Sequence, residues 1–489
     1  MLVAAIAQLR LAVSLVTGRP VPPWALDRLV VAGRDTVREF GQVGAEGGQA
    51  VNGPSLDPVT RREMQLRRFR ALAQRAATGT SFYGPRFVDL GLVPGQLGWD
   101  DIARIPVTTK AVLRERPDAF IHRDARPILR STTTGTTGRP TQVSFSEREL
   151  QSIAGFAALG HLLGGQIRPD DVVLMATSSR ASLGNYSITA ACRSIGALLQ
   201  PAGIIEPDQV LALLTQRLDI PDHLAQASGL ATYSSYLGEL VERGQEKGLG
   251  PSDFGLRWIS VGGEVVTPGL LRRTRRLFGD HLRFDTGYAM TETYPFAGMP
   301  CEQGHLHFEP SRGLVEVIDP ETGTACPPGQ AGTLVVTPFG PYRETTLLLR
   351  YDTLDVVRQL PDHLECSMGH LPGTSNLLGK LHLSVRHDRG WTYPSEVLGA
   401  LENIDEVPLP ARCGMWAEPG GVGVEVVVPS SLPTTRDRIA DELTRAGVPL
   451  ADLRLVTDPA DLRYPYPLRC DLREMGFQPA PATSMEAPA

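Results

Sequence analysis

The chain has 489 residues, 42% apolar and 21% charged, and 48 basic against 54 acidic side chains leave a net charge of −6. That balance excludes a nucleic-acid-binding surface and a disordered tail protein, and the length accommodates roughly two to four domains with ample core. Only Lys110, Lys247 and Lys380 among the basic residues are lysine, a skew typical of a GC-rich bacterial gene, so chemistry that needs a lysine after position 380 is ruled out.

The first twenty residues, MLVAAIAQLRLAVSLVTGRP, are apolar, but no basic region precedes the run and Arg10 interrupts it. They read as an amphipathic or docked helix rather than an export signal. Residues 57–77 place apolar side chains at helical spacing among many arginines, an exposed helix with one buried stripe. From about 150 to 360, helical stretches such as Glu149–Leu163 and Gln209–Arg217 alternate with short apolar runs such as Asp171–Ala176 and Trp258–Val261. That alternation predicts α/β layering with largely buried strands. Composition changes across 359–379, where turn formers accumulate, which divides the chain into a domain over 1–375 and a second over 376–489. In the second, Gly421–Pro429 alternates like a half-buried strand, Thr434 or Thr435 caps a helix presenting Ile439 and Leu443, and Leu453–Val456 reads as another strand. The last twelve residues are rich in Pro and Ala and are expected to be disordered. Nothing approaches the roughly 20 uninterrupted apolar residues of a membrane span. The six cysteines are widely spaced, which fits a reducing, cytoplasmic setting better than a secreted disulfide scaffold.

The strongest motif is Ser131-Thr132-Thr133-Thr134-Gly135-Thr136-Thr137-Gly138-Arg139-Pro140-Thr141. Gly135 and Gly138 let a loop turn sharply and approach an anion, while hydroxyls and amides supply donors for phosphate oxygens. It lacks the ending of a Walker loop. Downstream stand Gly262-Gly263-Glu264, Tyr288-Ala289-Met290-Thr291-Glu292, and Leu349-Arg350-Tyr351-Asp352-Thr353-Leu354-Asp355; upstream stand SFYGPRF and IPVTTK, ending at Lys110.

In that order these segments resemble the ANL superfamily of adenylate-forming enzymes, and within it the phenylacetate-CoA ligase branch, over about residues 60 to 475. The resemblance implies an α/β fold with a large multi-layer N-terminal domain and a small mobile α+β C-terminal lobe. It implies ATP and Mg²⁺ as cofactors. Thr133, Thr134, Gly135, Thr136, Thr137 and Gly138 would hold phosphates; Gly262, Gly263, Glu264 and Tyr288 would line the adenine site; Asp355 would accept the ribose hydroxyls; and Thr286 and Lys380 would be further ATP-binding residues. Thr291 would bind a phosphate oxygen and Glu292 would hold Mg²⁺, since hard cations prefer oxygen ligands. Tyr186, Tyr236 and Ala289 fall near stretches that line the acid pocket in the family. The implied reaction joins a carboxylate to the α-phosphate of ATP, releasing pyrophosphate, with coenzyme A as the usual acceptor.

The departures gather toward the C-terminus. The family's C-terminal lysine has no counterpart, and Arg469 is the candidate catalytic cation, although a planar guanidinium does not copy an ammonium. The family's hinge acids are replaced in Gly379-Lys380-Leu381-His382-Leu383, and Leu354 stands where the family has glycine. Members of the branch can carry a structural zinc; Cys301, His307 and Cys366 keep three of its ligands and His370 is a candidate fourth, the alternative being a decayed site with free cysteines. Three functions therefore compete: an acid-activating ligase for a small, aromatic substrate; an enzyme that activates nitrite with ATP and transfers it to an arylamine in specialised metabolism; and a non-catalytic nucleotide-binding relative. None involves nucleic acid or membrane, and the choice between monomer and homodimer stays open.

Overall fold

The computed structural model describes residues 2–17, 21–41, 56–133, 140–179, 182–429, 433–463 and 468. Five parallel strands form the central sheet, in the spatial order Leu198–Pro201, Val172–Met175, Gly229–Tyr233, Trp258–Gly262 and Arg283–Asp285. Helices cover both faces. Val172 and Leu174 pack with Leu237, Leu240 and Leu270 on one side, while Val173 packs with Phe156, Leu159 and Cys192 on the other. Burial on both faces is why these strands read as continuous apolar runs, and each such side chain contributes about 1.5–3 kcal/mol.

The helix Pro58–Gly79 follows its sequence pattern. Asp57 caps it by accepting from the amides of Val59 and Thr60, and Met64, Phe69, Leu72, Ala73 and Ala76 form its buried stripe. The helix Leu2–Thr17 packs on the helix Pro23–Phe40, which in turn packs on Glu147–Leu163. Among the described residues no helix is long and apolar enough to cross a membrane.

A four-stranded antiparallel sheet, Gly313–Ile318, Ala331–Pro338, Tyr351–Arg358 and Gly379–Lys380, belongs to the large domain, its last strand being supplied from beyond residue 375, past the division expected from composition. The small lobe is α+β. Its sheet, Cys413–Glu418, Gly421–Val427 and Leu450–Val456, shares a core with the helices Pro394–Leu401 and Pro433–Arg445, in which Val397, Val424 and Leu443 are fully buried.

Two local expectations in the lobe need correction. Gly421–Val427 does alternate, but its Gly/Glu face is buried too: Trp416 lies against Gly423, and Arg454 Nη1 reaches Glu425 Oε2 at 3.1 Å. The strand is central in its sheet, and packing on both faces buries Gly421 through Val426. The neighbouring helix begins at Pro433, which puts Thr434 and Thr435 in its first turn rather than at the cap.

Candidate active site

The phosphate-loop motif joins two antiparallel strands, Pro127–Thr132 and Gln142–Ser146. Thr134, Gly135, Thr136, Thr137 and Gly138 lie outside the described residues. The base of the loop is closed by Thr133, whose amide donates to Thr141 O at 3.0 Å and whose Oγ1 accepts from the Thr141 amide at 3.1 Å.

Glu292 is fully buried at the centre of a polar cluster. Its Oε1 accepts from the Tyr351 hydroxyl at 2.9 Å and lies 3.3 Å from Lys110 Nζ, while Oε2 has no hydrogen-bond partner among the described residues. A buried carboxylate with one oxygen unpartnered fits a magnesium ion held by one protein carboxylate and substrate phosphates. Burial lowers the pKa of Lys110 and the Glu292 charge opposes that fall. Burial, with the nearby Glu292 charge, raises the Tyr351 phenol well above its ordinary value, so it stays a donor.

Lys110 reaches this cluster because its segment is fastened to the strand that carries Tyr351. The Thr108 amide donates to Arg350 O at 2.8 Å, the Asp352 amide donates to Thr108 O at 3.0 Å, and Thr108 Oγ1 bonds with the Tyr83 hydroxyl at 2.8 Å. Thr109 then caps the short helix that Lys110 opens. Sequence reasoning gave Lys110 no role.

The second cluster centres on Asp355. Its Oδ1 lies 2.6 Å from Lys380 Nζ, on the adjacent strand, and its Oδ2 accepts from the Tyr288 hydroxyl at 2.9 Å. Burial first, then the Asp355 charge, keeps the Tyr288 phenol well above its usual pKa. The strand bearing Tyr351 and Asp355 is bent by a register shift opposite Thr333–Val335 and by two left-handed residues, Arg350 at φ 46° and Leu354 at φ 59°. Leu354 thus keeps the backbone conformation that suits the family's glycine, at a cost of about 1–2 kcal/mol. Arg350 is anchored by the carbonyls of Ile102, Ala103 and Ile105 and by Glu316.

The remaining candidates are placed as follows. Gly263 turns at φ 77° beside the Tyr233 ring, and Glu264 Oε2 accepts from the Ser235 amide at 2.7 Å, at the start of the helix Ser234–Glu246. Thr286 and Thr291 are half-buried, and Ala289 is exposed. Tyr186 is half-buried, its hydroxyl 3.3 Å from Leu150 O. Tyr236, expected in the acid pocket, is instead a core residue, 1% exposed, with its hydroxyl donating to Ile205 O at 2.5 Å. A helix-spaced aromatic on a buried face packs inward. Arg469 lies outside the described residues.

Four donors converge near the short sheet formed by Gly298–Pro300, Leu306–Phe308 and Gly373–Thr374: Cys301, His305, His307 and Cys366, with ligand atoms all within 4.8 Å of one another. Cys366 Sγ is 3.3 Å from His307 Nε2, and His305 Nδ1 is buried without a partner among the described residues. Two sulfurs and two imidazoles fit tetrahedral zinc. The fourth donor is His305; His370, the expected one, is outside the group.

Comparison with known proteins agrees with this arrangement. Residues 115–341 match the family of AMP-binding enzymes. A phenylacetate-coenzyme A ligase of Thermus thermophilus is 25% identical over 417 residues, 82% of this chain and 90% of that protein. One from Pseudomonas putida is 27% identical, covering 61% of this chain and 67% of its own length. A crystal structure of 2-hydroxyisobutyryl-CoA ligase in the postadenylation state superposes with a TM-score of 0.69 at 21% identity, over 83% of this chain and 88% of that one, which establishes the shared fold. These similarities support an ATP-dependent adenylate-forming ligase, with the match to AMP-binding enzymes lying in residues 115–341. Along most of its length the chain is similar to phenylacetate-coenzyme A ligases of the ANL superfamily.

Proposed function

We propose that the enzyme activates a small aromatic carboxylic acid with ATP, forming an acyl-adenylate and pyrophosphate, and passes the acyl group to the thiol of coenzyme A. The observation that carries this reading is the pair of clusters Lys110–Glu292–Tyr351 and Asp355–Lys380–Tyr288, two carboxylates each held by one lysine and one protonated phenol.

In the first step a carboxylate oxygen attacks the α-phosphorus, the bond to the β-phosphate oxygen breaks, and pyrophosphate leaves with the electron pair. Lys110 supplies positive charge to the incoming carboxylate and the α-phosphate, from the large domain. Tyr351 fixes the Glu292 carboxylate, and its unpartnered oxygen would hold Mg²⁺, which supplies charge neutralisation on the phosphates when bound. Asp355 receives the ribose hydroxyls, held in place by Lys380 and Tyr288. Catalysis by positioned charge of this kind avoids reorganisation during the reaction. Cys301, His305, His307 and Cys366 would hold a structural zinc, which ties the loop containing Cys366 to the strand containing His307.

The test is incubation with ATP, Mg²⁺ and a panel of aryl acids, with and without coenzyme A, followed by mass analysis. Acyl-AMP without the thiol and acyl-CoA with it are expected. AMP release that requires both nitrite and an arylamine would assign the same nucleotide site to diazo formation instead. ATP binding with no turnover on any panel would refute both readings and leave a non-catalytic nucleotide-binding relative.

A further inference from the structure

The central sheet turns a row of small and polar residues toward one of its two helix layers. Paired positions on adjacent strands share a face: Ala231 pairs with Ser260 and Ser260 with Asp285, and at the next level toward the strand ends Tyr233 pairs with Gly262. The intervening Leu230, Ile259, Val261 and Phe284 pack with Leu237 and Leu270 on the opposite face. Ala231, Ser260 and Asp285 therefore face the layer of the helices Glu147–Leu163 and Ser182–Ile195, where Trp258 packs with Phe156, Leu159 and Ala191. Protein interiors are close-packed. Ala, Ser and Gly side by side at the carboxyl ends of parallel strands leave room for a ligand where open α/β sheets bind theirs.

Asp285 is the charged member of the row. It is half-buried; its Oδ2 accepts from Ser260 Oγ at 3.3 Å and its Oδ1 from the Gly287 amide at 3.3 Å. An ionised carboxylate offers about four acceptor positions, and these two bonds are long. Among the described residues no cation pairs with it. Arg312, whose charge acts on the nearby Tyr294, is engaged by Glu309 at 3.5 Å.

The side chains around Asp285 bring no compensating charge. Burial lowers the pKa of His161 and the Asp285 charge only opposes that fall, so the imidazole is neutral at pH 7. The Tyr294 hydroxyl bonds with Ser187 Oγ at 3.0 Å; burial raises its phenol and the Asp285 charge adds to the rise. Tyr233, its ring against Gly263, is pushed up to about 12, chiefly by burial. A carboxylate withdrawn from water among neutral groups is stabilised by a ligand that brings an N–H or O–H to it.

We propose that Asp285 selects the acid by accepting a hydrogen bond from a substituent on its ring, so that the substrate is an amino- or hydroxy-substituted aryl acid. This deepens the aryl-acid reading given above and rests on it. An amine donates one N–H to Asp285 and the other to Ser260 Oγ, whereas a hydroxyl donates to Asp285 alone. A methyl group or hydrogen at the same ring position leaves the carboxylate without that donor.

The test is acid-dependent pyrophosphate exchange by the full-length enzyme with sets of benzoic acids that carry amino, hydroxyl, methyl or hydrogen at one ring position. In the native enzyme kcat/KM for the best amino or hydroxy acid should exceed that of its methyl analogue at least about tenfold, the size of a hydrogen bond to a charged group. Asp285→Ala should bring the two within about threefold by slowing the donor-bearing acid, with the methyl acid unchanged. If that variant does not fold, Asp285→Asn, which keeps the size and removes the charge, should lower the preference at least about threefold. A native preference for the methyl acid, a preference that survives in the variants, or an equal loss on every acid would overturn the proposal. If no aryl acid supports exchange, the function proposed above fails. Calorimetric binding of the same acids to the native and variant enzymes then decides the role of Asp285: tighter binding of amino or hydroxy acids that is lost in the variant supports it, and equal or absent binding overturns it.

Discussion

The two domains differ in where their charges are anchored. In the large domain, Glu292 and Asp355 are each engaged by a lysine and a phenol, and those partners come from segments far apart in the chain. In the small lobe the family's adenylation lysine and hinge acids have no counterpart; the buried Glu402 accepts from Thr267 of the large domain, and the buried Glu425 pairs with Arg454 inside the lobe. The difference shows that Lys110, 3.3 Å from Glu292, brings positive charge to this cluster from the large domain.

Substitutions can break or sharpen that contrast. Glu292→Gln keeps shape and hydrogen bonding but removes the charge, and is expected to lower AMP formation by about 10²–10³-fold. Lys110→Met should cost about 10²-fold in kcat, whereas Arg469→Ala should cost no more than about tenfold. Single-turnover AMP formation ranks the two; a larger effect at Arg469 would return the bridging role to the lobe. Asp355→Asn should raise KM for ATP about tenfold, the size of a lost charge-assisted bond, with kcat less affected. For the Cys/His cluster, elemental analysis should find about one zinc per chain, and Cys366→Ser should remove it and lower Tm by several degrees while leaving ATP affinity unchanged. The smallest effect is expected at Leu354→Gly, where relief of the left-handed backbone and the entropy of glycine differ by no more than about 1 kcal/mol; a urea titration measures it.

The layered α/β architecture was legible because buried strands and amphipathic helices carry distinct periodicities, as in Val172–Met175 and Pro58–Gly79. Glu292 and Asp355 were legible because each sits in a local motif. Lys110 was not, since only the packing of Thr108 on the Arg350–Asp352 segment brings it to Glu292. His305 could have been found. It lies two residues before His307, and alternation along an extended segment puts both side chains on one side. Tyr236 shows the opposite failure, an aromatic assigned to a pocket when helical spacing placed it in the core. The bonds of the buried Arg273 have no sequence signature, because two of its acceptors are the backbone carbonyls of Ile404 and Val407.

The central claim is tested most directly by acid-dependent exchange of labelled pyrophosphate into ATP, comparing the native enzyme with Glu292→Gln. The account predicts exchange that requires an aryl acid and Mg²⁺ and falls at least a hundredfold in the variant, on the scale of a lost electrostatic stabiliser. Exchange with no acid on the panel, or an equal rate in both proteins, would contradict it.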